Sequence, residues 1–225
     1  MMKMEEILKV FAPHRGDAIV ISGRANRHWD KISTNKNRDL SLGDPAMGGH
    51  ASFALGLALA RPKNKVVLFD SDGDVQMSMG ALATIAEQKP ANLYHFVLDN
   101  ECYATTGGQP VPNAGRVHYD KLALGAGYPE AHAFDNLETF SINVERILSK
   151  PGPVFVALKI KPEIINVPIG IAAASSEGAN TSAPSRAPWA ETPVTWSACM
   201  NRFVTRDCVS AMLPVKSVTL NQWCR

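Results

Sequence analysis

Lys65-Val66-Val67-Leu68-Phe69-Asp70-Ser71-Asp72-Gly73-Asp74, residues 65–74, is the stretch that decides the fold. Val66 to Phe69 is an unbroken apolar run rich in β-formers, and it closes on a Gly/Asp turn. A strand that is apolar at every position, instead of at alternate ones, belongs in a sheet covered on both faces. Three other segments read the same way. They are residues 17–22 (DAIVIS), ending at Gly23; residues 93–98 (LYHFVL), ending at Asp99-Asn100; and residues 153–160 (PVFVALKI), after the turn Lys150-Pro151-Gly152. Helical patterns lie between them. Val75, Met79, Leu82 and Ala86 share one face of a helix that Pro90 stops. Residues 50–60 and 137–148 supply two more, and Glu5 and Glu6 sit in a short one. Strands alternating with helices predict an α/β domain with a parallel sheet and helices on both faces.

The helix at 50–60 is dominated by small residues, and Gly56 at its centre costs about 1 kcal/mol relative to Ala. Close packing of that helix on the sheet is the expected reason. The 225 residues suit one large domain, or one domain and a tail, and a 45% hydrophobic content suits a buried core. A net charge of +2 gives no reason to invoke nucleic acid, no apolar run is long enough to span a bilayer, and the N-terminus carries no signal-type stretch. A cytoplasmic protein is expected.

The domain is expected to occupy residues 1–170. Residues 171–225 are expected to form an irregular tail, disordered or non-homologous, such as a shifted reading frame would produce. Residues 172–193 are small, polar and proline-rich with neither helical nor strand periodicity, and the tail holds Trp189, Trp196 and Trp223 beside Cys199, Cys208 and Cys224. Its five basic and three acidic residues account for the whole +2. No Cys/His spacing suited to structural zinc occurs.

The chemistry is concentrated in two turns. Ser71-Asp72-Gly73-Asp74 follows one buried strand, and Asp99-Asn100-Glu101-Cys102 follows the next. In open parallel sheets ligands bind beyond the carboxyl ends of strands, so both turns can face one ligand. Gly73 lets backbone approach that ligand, and the helix that follows offers unpaired N–H groups to an anion. A carboxylate beside an anion is accommodated when a hard cation bridges them. Asp72 and Asn100 suit Mg²⁺, which takes one or two side-chain oxygens and completes its octahedron with phosphate, carbonyl and water.

The Asp-Gly-X motif followed, a helix and a strand later, by Asn resembles the thiamine-diphosphate (ThDP) signature of the pyruvate-decarboxylase-like superfamily. That resemblance implies a diphosphate-binding (PP) domain in which Asp72 and Asn100 ligate Mg²⁺ by side chains and Cys102 by its backbone carbonyl. Gly73 and Asp74 would touch the diphosphate. The sequence departs from the pattern at Ser71, where family members usually carry Gly, and at Asp74, where a small residue is common. A carboxylate at Asp74 repels diphosphate unless it turns away, for example to cap the helix. Pro45-Ala46-Met47-Gly48-Gly49-His50-Ala51-Ser52 resembles the Gly-Ser-Met-Gly-His-Ala-Ser segment of phosphonopyruvate and sulfopyruvate decarboxylases. The resemblance puts the carbonyl of Pro45 at the cofactor's 4′-amino group and makes Met47 the wedge that bends the cofactor. His50 could lie near the substrate carboxylate or simply begin a helix. Residues 102–110, with Tyr103, resemble the loop after Asn in the same enzymes, which lies over diphosphate and substrate.

Together these resemblances cover about residues 15–168. They imply a ThDP- and Mg²⁺-dependent decarboxylase acting on a small 2-oxo acid, with sulfopyruvate and phosphonopyruvate the nearest examples. An acetolactate-synthase-like or oxidoreductase half, or a non-catalytic ThDP-binding remnant, would fit the same motifs. A Rossmann nucleotide site fits less well, because no GxGxxG follows the first strand. In this superfamily the glutamate that activates the cofactor belongs to a separate pyrimidine-binding domain. Only about a dozen residues precede the first strand here. A hetero-oligomer is therefore expected, in which a pyrimidine-binding subunit supplies the glutamate and this chain is inactive alone.

Overall fold

The computed structural model describes residues 1–42 and 47–164. Pro45 and the tail 171–225 lie outside the described residues.

The sheet has six strands, all parallel. In chain order they are β1 (Ile19–Ile21), β2 (Asp39–Leu40), β3 (Val66–Ser71), β4 (Leu93–Asp99), β7 (Glu130–Phe134) and β8 (Val154–Lys159). Their order across the sheet is β2-β1-β3-β4-β8-β7. A small antiparallel pair, β5 (Cys102–Tyr103) and β6 (Gln109–Pro110), stands apart from it. The helices are α1 (Met4–Phe11), α2 (Asn26–Ile32), α3 (His50–Ala60), α4 (Asp72–Met77), α5 (Gly80–Gln88), α6 (Tyr119–Ala126) and α7 (Leu137–Ser149).

The expected parallel sheet is thus present, and both of its faces are covered. Successive strand residues point to opposite faces. On one face Phe69 and Phe96 pack with Phe11 of α1, Trp29 of α2 and Phe140 of α7. On the other face Leu68, Val97 and Phe155 pack with Leu55 of α3, Ile85 of α5 and Ala123 of α6. Trp29 also fixes α2 to the sheet, because its Nε1–H donates to Asp39 Oδ1 at 3.0 Å and Arg15 stacks on its ring.

Two expectations need correction. The helix read from Val75 to Ala86 is two helices. The chain breaks at Ser78 and Met79, and Met77 and Met79 face solvent at 50% and 43% exposure. Gly56 does not serve close packing on the sheet. It lies on the exposed face of α3, and a Cβ built there meets nothing within 4 Å.

Candidate functional site

β3 and β4 are adjacent, with Ser71 opposite Leu98, so the two acidic turns emerge side by side at the carboxyl edge of the sheet. Asp72 opens α4 and is fully buried. Its Oδ2 accepts the Glu101 N–H at 2.8 Å. That amide can reach it because Glu101 adopts a left-handed backbone, φ 64°. Asp72 Oδ1 is buried with no hydrogen-bond partner among the described residues. Burial pushes the Asp72 carboxyl up to about 7, and the nearby Asp99 charge adds to this against backbone N–H groups that pull it down. Beside it, Asn100 Oδ1 accepts the Cys102 N–H at 3.1 Å. Burial, with the charges of Asp72 and Glu101, raises the Cys102 thiol. Lys159 at the end of β8 pairs with Asp99 at 2.9 Å and Glu101 at 2.5 Å, which holds the second turn in place.

Asp74, two residues on, has the opposite environment. Arg24 donates to both its oxygens, at 2.7 and 3.0 Å. The Gly48 N–H and the Ser71 hydroxyl donate to it at 2.7 Å each. Burial would raise this carboxyl, but the surrounding donors (His50, Arg24, Gly48 N–H and Ser71) hold it far below the usual carboxylate range. The Asp74 carboxylate lines the cavity with both oxygens already engaged by donors. The helix is capped by Ser71, whose Oγ accepts the Asp74 N–H at 3.1 Å. The Ser71 hydroxyl thus both accepts from the Asp74 N–H and donates to the Asp74 carboxylate, while the Ser71 N–H goes to Asp70 Oδ1.

His50 begins α3 and is 1% exposed. Its Nδ1 stands 3.5 Å from Asp74 Oδ1 and 3.7 Å from Asp70 Oδ1, both long for hydrogen bonds. Ligand atoms of His50, Asp70 and Asp74 lie within 4.8 Å of one another. This second cluster is not the pair read from the sequence, and the lone pairs of Asp74 are already taken by Arg24, Gly48 and Ser71. Behind it, Asp70 Oδ2 meets His95 Nε2 at 3.2 Å, and His95 Nδ1 meets the Tyr128 hydroxyl at 3.3 Å.

The turns open into a solvent-open cleft with about 750 Å³ of empty space, open solvent included. Met47, Gly73, Asp74, Asn100, Cys102 and Tyr103 all line it. Asp72 and His50, both buried, do not line it. Gly73 is required by close approach, because a Cβ there would sit 2.9 Å from Tyr103 Cδ1. Gly48 is required by its φ of 72° and by Met77 Cβ, 2.9 Å from where its own Cβ would stand. Met47 stands at the mouth, 47% exposed. Sequence reading missed the third wall, formed by Arg24, Arg27 and His28 just past β1. Its signal was available, since three basic residues follow the Gly23 strand end within a few positions.

Residues 23–158 match the family profile described as thiamine pyrophosphate enzyme, C-terminal TPP binding domain. The chain belongs to that family. Its curated relatives include the phosphonopyruvate decarboxylase of Streptomyces viridochromogenes, 36% identical over 65% of this chain and 36% of the relative. Another is the sulfopyruvate decarboxylase subunit beta of Methanothermobacter thermautotrophicus, 40% identical over 55% of this chain and 63% of the relative. The chain therefore spans about a third of the first protein and under two thirds of the second. Among solved structures, the thiamine diphosphate-dependent 4-hydroxybenzoylformate decarboxylase of Rhodococcus jostii RHA1 superposes with a TM-score of 0.58. It is 17% identical, covering 73% of this chain and 33% of that one, and the likeness shows the shared TPP-domain fold. Among the described residues of this TPP-binding domain, no helix is long and apolar enough to cross a membrane.

Proposed function

We propose that this TPP-binding domain is the ThDP- and Mg²⁺-holding subunit of a decarboxylase acting on a 2-oxo acid with an acidic group at C3, such as sulfopyruvate or phosphonopyruvate. One observation carries the metal reading. Asp72 Oδ1 is a buried carboxylate oxygen without a partner, beside Asn100 at the carboxyl edge of the sheet. A buried charge left unpaired is costly, and a hard cation is the partner that removes the cost. Asp72 and Asn100 would hold Mg²⁺ through side-chain oxygens, and Cys102 through its carbonyl. Asn100 Oδ1 accepts one N–H and keeps capacity for a cation.

Gly73 and Tyr103 would line the diphosphate end, and Met47 would press the cofactor into its bent form. Asp74 acts at one remove: it clamps Arg24, Ser71 and the Gly48 N–H, and His50 supports it from behind. Both are positioning residues in this reading. Bound ThDP supplies the nucleophilic carbon and the electron sink for loss of CO₂. A pyrimidine-binding partner would supply the glutamate that activates it, a reading supported by the relative named as a subunit beta.

Calorimetry with Mg²⁺ and ThDP on the full chain and on Asp72→Ala tests the cofactor site. Binding is expected to need both Mg²⁺ and Asp72, and metal-independent binding of equal strength in the variant would overturn the reading. Co-expression with a pyrimidine-domain subunit, then a CO₂ assay on a 2-oxo-acid panel, tests the reaction. Release of CO₂ from sulfopyruvate or phosphonopyruvate is expected only with both chains present. Turnover by this chain alone would refute the split.

A further inference from the structure

The cavity wall beyond β1 carries three basic side chains, and they differ in what answers their charge. Arg24 is committed to Asp74 through two hydrogen bonds. His28 Nε2 lies 2.7 Å from Glu163 Oε2, and Glu163 lines the same cavity. Arg27 is exposed and makes no ion pair or hydrogen bond among the described residues. It is the one cation of this wall without a counter-charge among those residues. Its place in the sheet separates it from the metal ligands. Arg27 rises from the helix after β1, whereas Asp72 follows β3 and Asn100 follows β4, the next two strands across. At about 4.8 Å per strand, the β1 and β4 edges of the cavity stand roughly 10 Å apart. A ligand anchored at the metal end therefore meets Arg27 with a different part of itself, or through a second molecule bound beside it.

We propose that Arg27 binds the second acidic group of the substrate, a sulfonate or phosphonate on C3 of a 2-oxo acid, and so sets the specificity of this site. The inference rests on the decarboxylase reading above. A guanidinium offers paired N–H donors that fit two oxygens of a tetrahedral oxyanion, which a Lys ammonium does not. Thr105, in the loop after β5, lines the same cavity and offers a hydroxyl donor. An uncharged C3 substituent leaves Arg27 in water and gains nothing from it. The cofactor's own diphosphate carries the same oxyanion chemistry, so the test has to separate the two sources.

Arg27→Gln is suited to this because the residue is exposed, and surface changes away from packed features seldom alter stability by more than about 0.5 kcal/mol. In the first arm, Mg²⁺–ThDP is titrated into the full chain and into the variant. Equal affinity is expected, and a loss of about tenfold or more would assign Arg27 to the diphosphate and overturn the proposal. In the second arm, the ThDP-loaded chain is titrated with sulfoacetate, phosphonoacetate and acetate. The two dianions are expected to bind about 10- to 100-fold more weakly to Arg27→Gln, with partial recovery in Arg27→Lys and no effect on acetate. Equal dianion binding by wild type and Arg27→Gln, or none by wild type, would overturn it. In the third arm, the assembled two-chain enzyme should show a raised KM for sulfopyruvate at nearly unchanged kcat in Arg27→Gln, with pyruvate unaffected. The first two arms need no turnover. A chain that binds dianions through Arg27 but releases no CO₂ would refute the decarboxylase reading and leave the oxyanion site standing.

Discussion

Replacing Asp74 by Ala should be among the most damaging single changes in this domain, although Asp74 is not a proposed metal ligand. The substitution strands three donors at once. The Gly48 N–H is buried and loses its 2.7 Å acceptor. The Ser71 hydroxyl loses its acceptor, and the Arg24 guanidinium, 15% exposed, loses both carboxylate oxygens. Breaking a buried pair by removing one partner costs about 3–5 kcal/mol. For a domain of this size that lowers the melting temperature by roughly 6–20 °C. Thermal and urea unfolding of Asp74→Ala, Arg24→Met and the double variant would measure it. The double variant should be less destabilised than the sum of the singles, because it strands no charge. The acid limb gives an independent check. The folded Asp74 carboxyl lies well below its unfolded value near 3.9, so its contribution is complete above about pH 4. As pH falls towards the folded value the unfolded chain binds the extra proton, and stability drops by up to about 1.4 kcal/mol per pH unit. Asp74→Asn should flatten that limb. A loss under about 1 kcal/mol in Asp74→Ala, with strictly additive singles, would refute the clamp.

Two further outcomes follow from the same structure. Asp72→Asn should stabilise the metal-free chain by about 1–2 kcal/mol at pH 8, because a carboxyl whose folded pKa is raised to about 7 costs stability once pH passes its unfolded value. That gain should fade as pH falls towards 4, and Mg²⁺ with ThDP should no longer raise the melting temperature of the variant. Gly56→Ala should stabilise the domain by about 0.8–1 kcal/mol, since its Cβ enters open space in a helix interior. Urea unfolding that shows no gain would mean that this face of α3 is already covered in solution.

The parts of the fold legible in the sequence are those whose residues share one environment. β3, β4 and β8 are buried on both faces, so their side chains are almost uniformly apolar and each reads as a block. β7 is an edge strand with half-buried Glu130, Ala131 and His132, and its five residues carry no such block. β2 has only two residues and offers no pattern. The break between α4 and α5 was hidden for the opposite reason. Met79 continues the apolar period of the preceding turn, yet it faces solvent. A periodic pattern records which residues are apolar, and says nothing about whether that apolar face has found a partner.

The site shows the same division more sharply, because Asp72 and Asp74 belong to one short motif and have opposite fates. Asp72 was legible as a candidate ligand because that reading depends on local position alone, at the end of one buried strand and beside the end of the next. Asp74 was not, because its partners Arg24 and Gly48 come from segments far away in the chain, and no spacing rule announces a side-chain pair. The resulting electrostatics separate the two carboxylates. Asp74 is surrounded by donors and held ionised far into acid, so it has no acceptor capacity to offer. Asp72 has one oxygen satisfied by Glu101 and one left bare, with its carboxyl pushed up to about 7. A protein interior that supplies four donors to one aspartate can satisfy another two residues away. That it leaves Asp72 short, at the carboxyl edge of the sheet beside Asn100, is what supports the proposed cation site. Arg27 differs in kind, because it is exposed to water, and its proposed role rests on its place in the cavity wall.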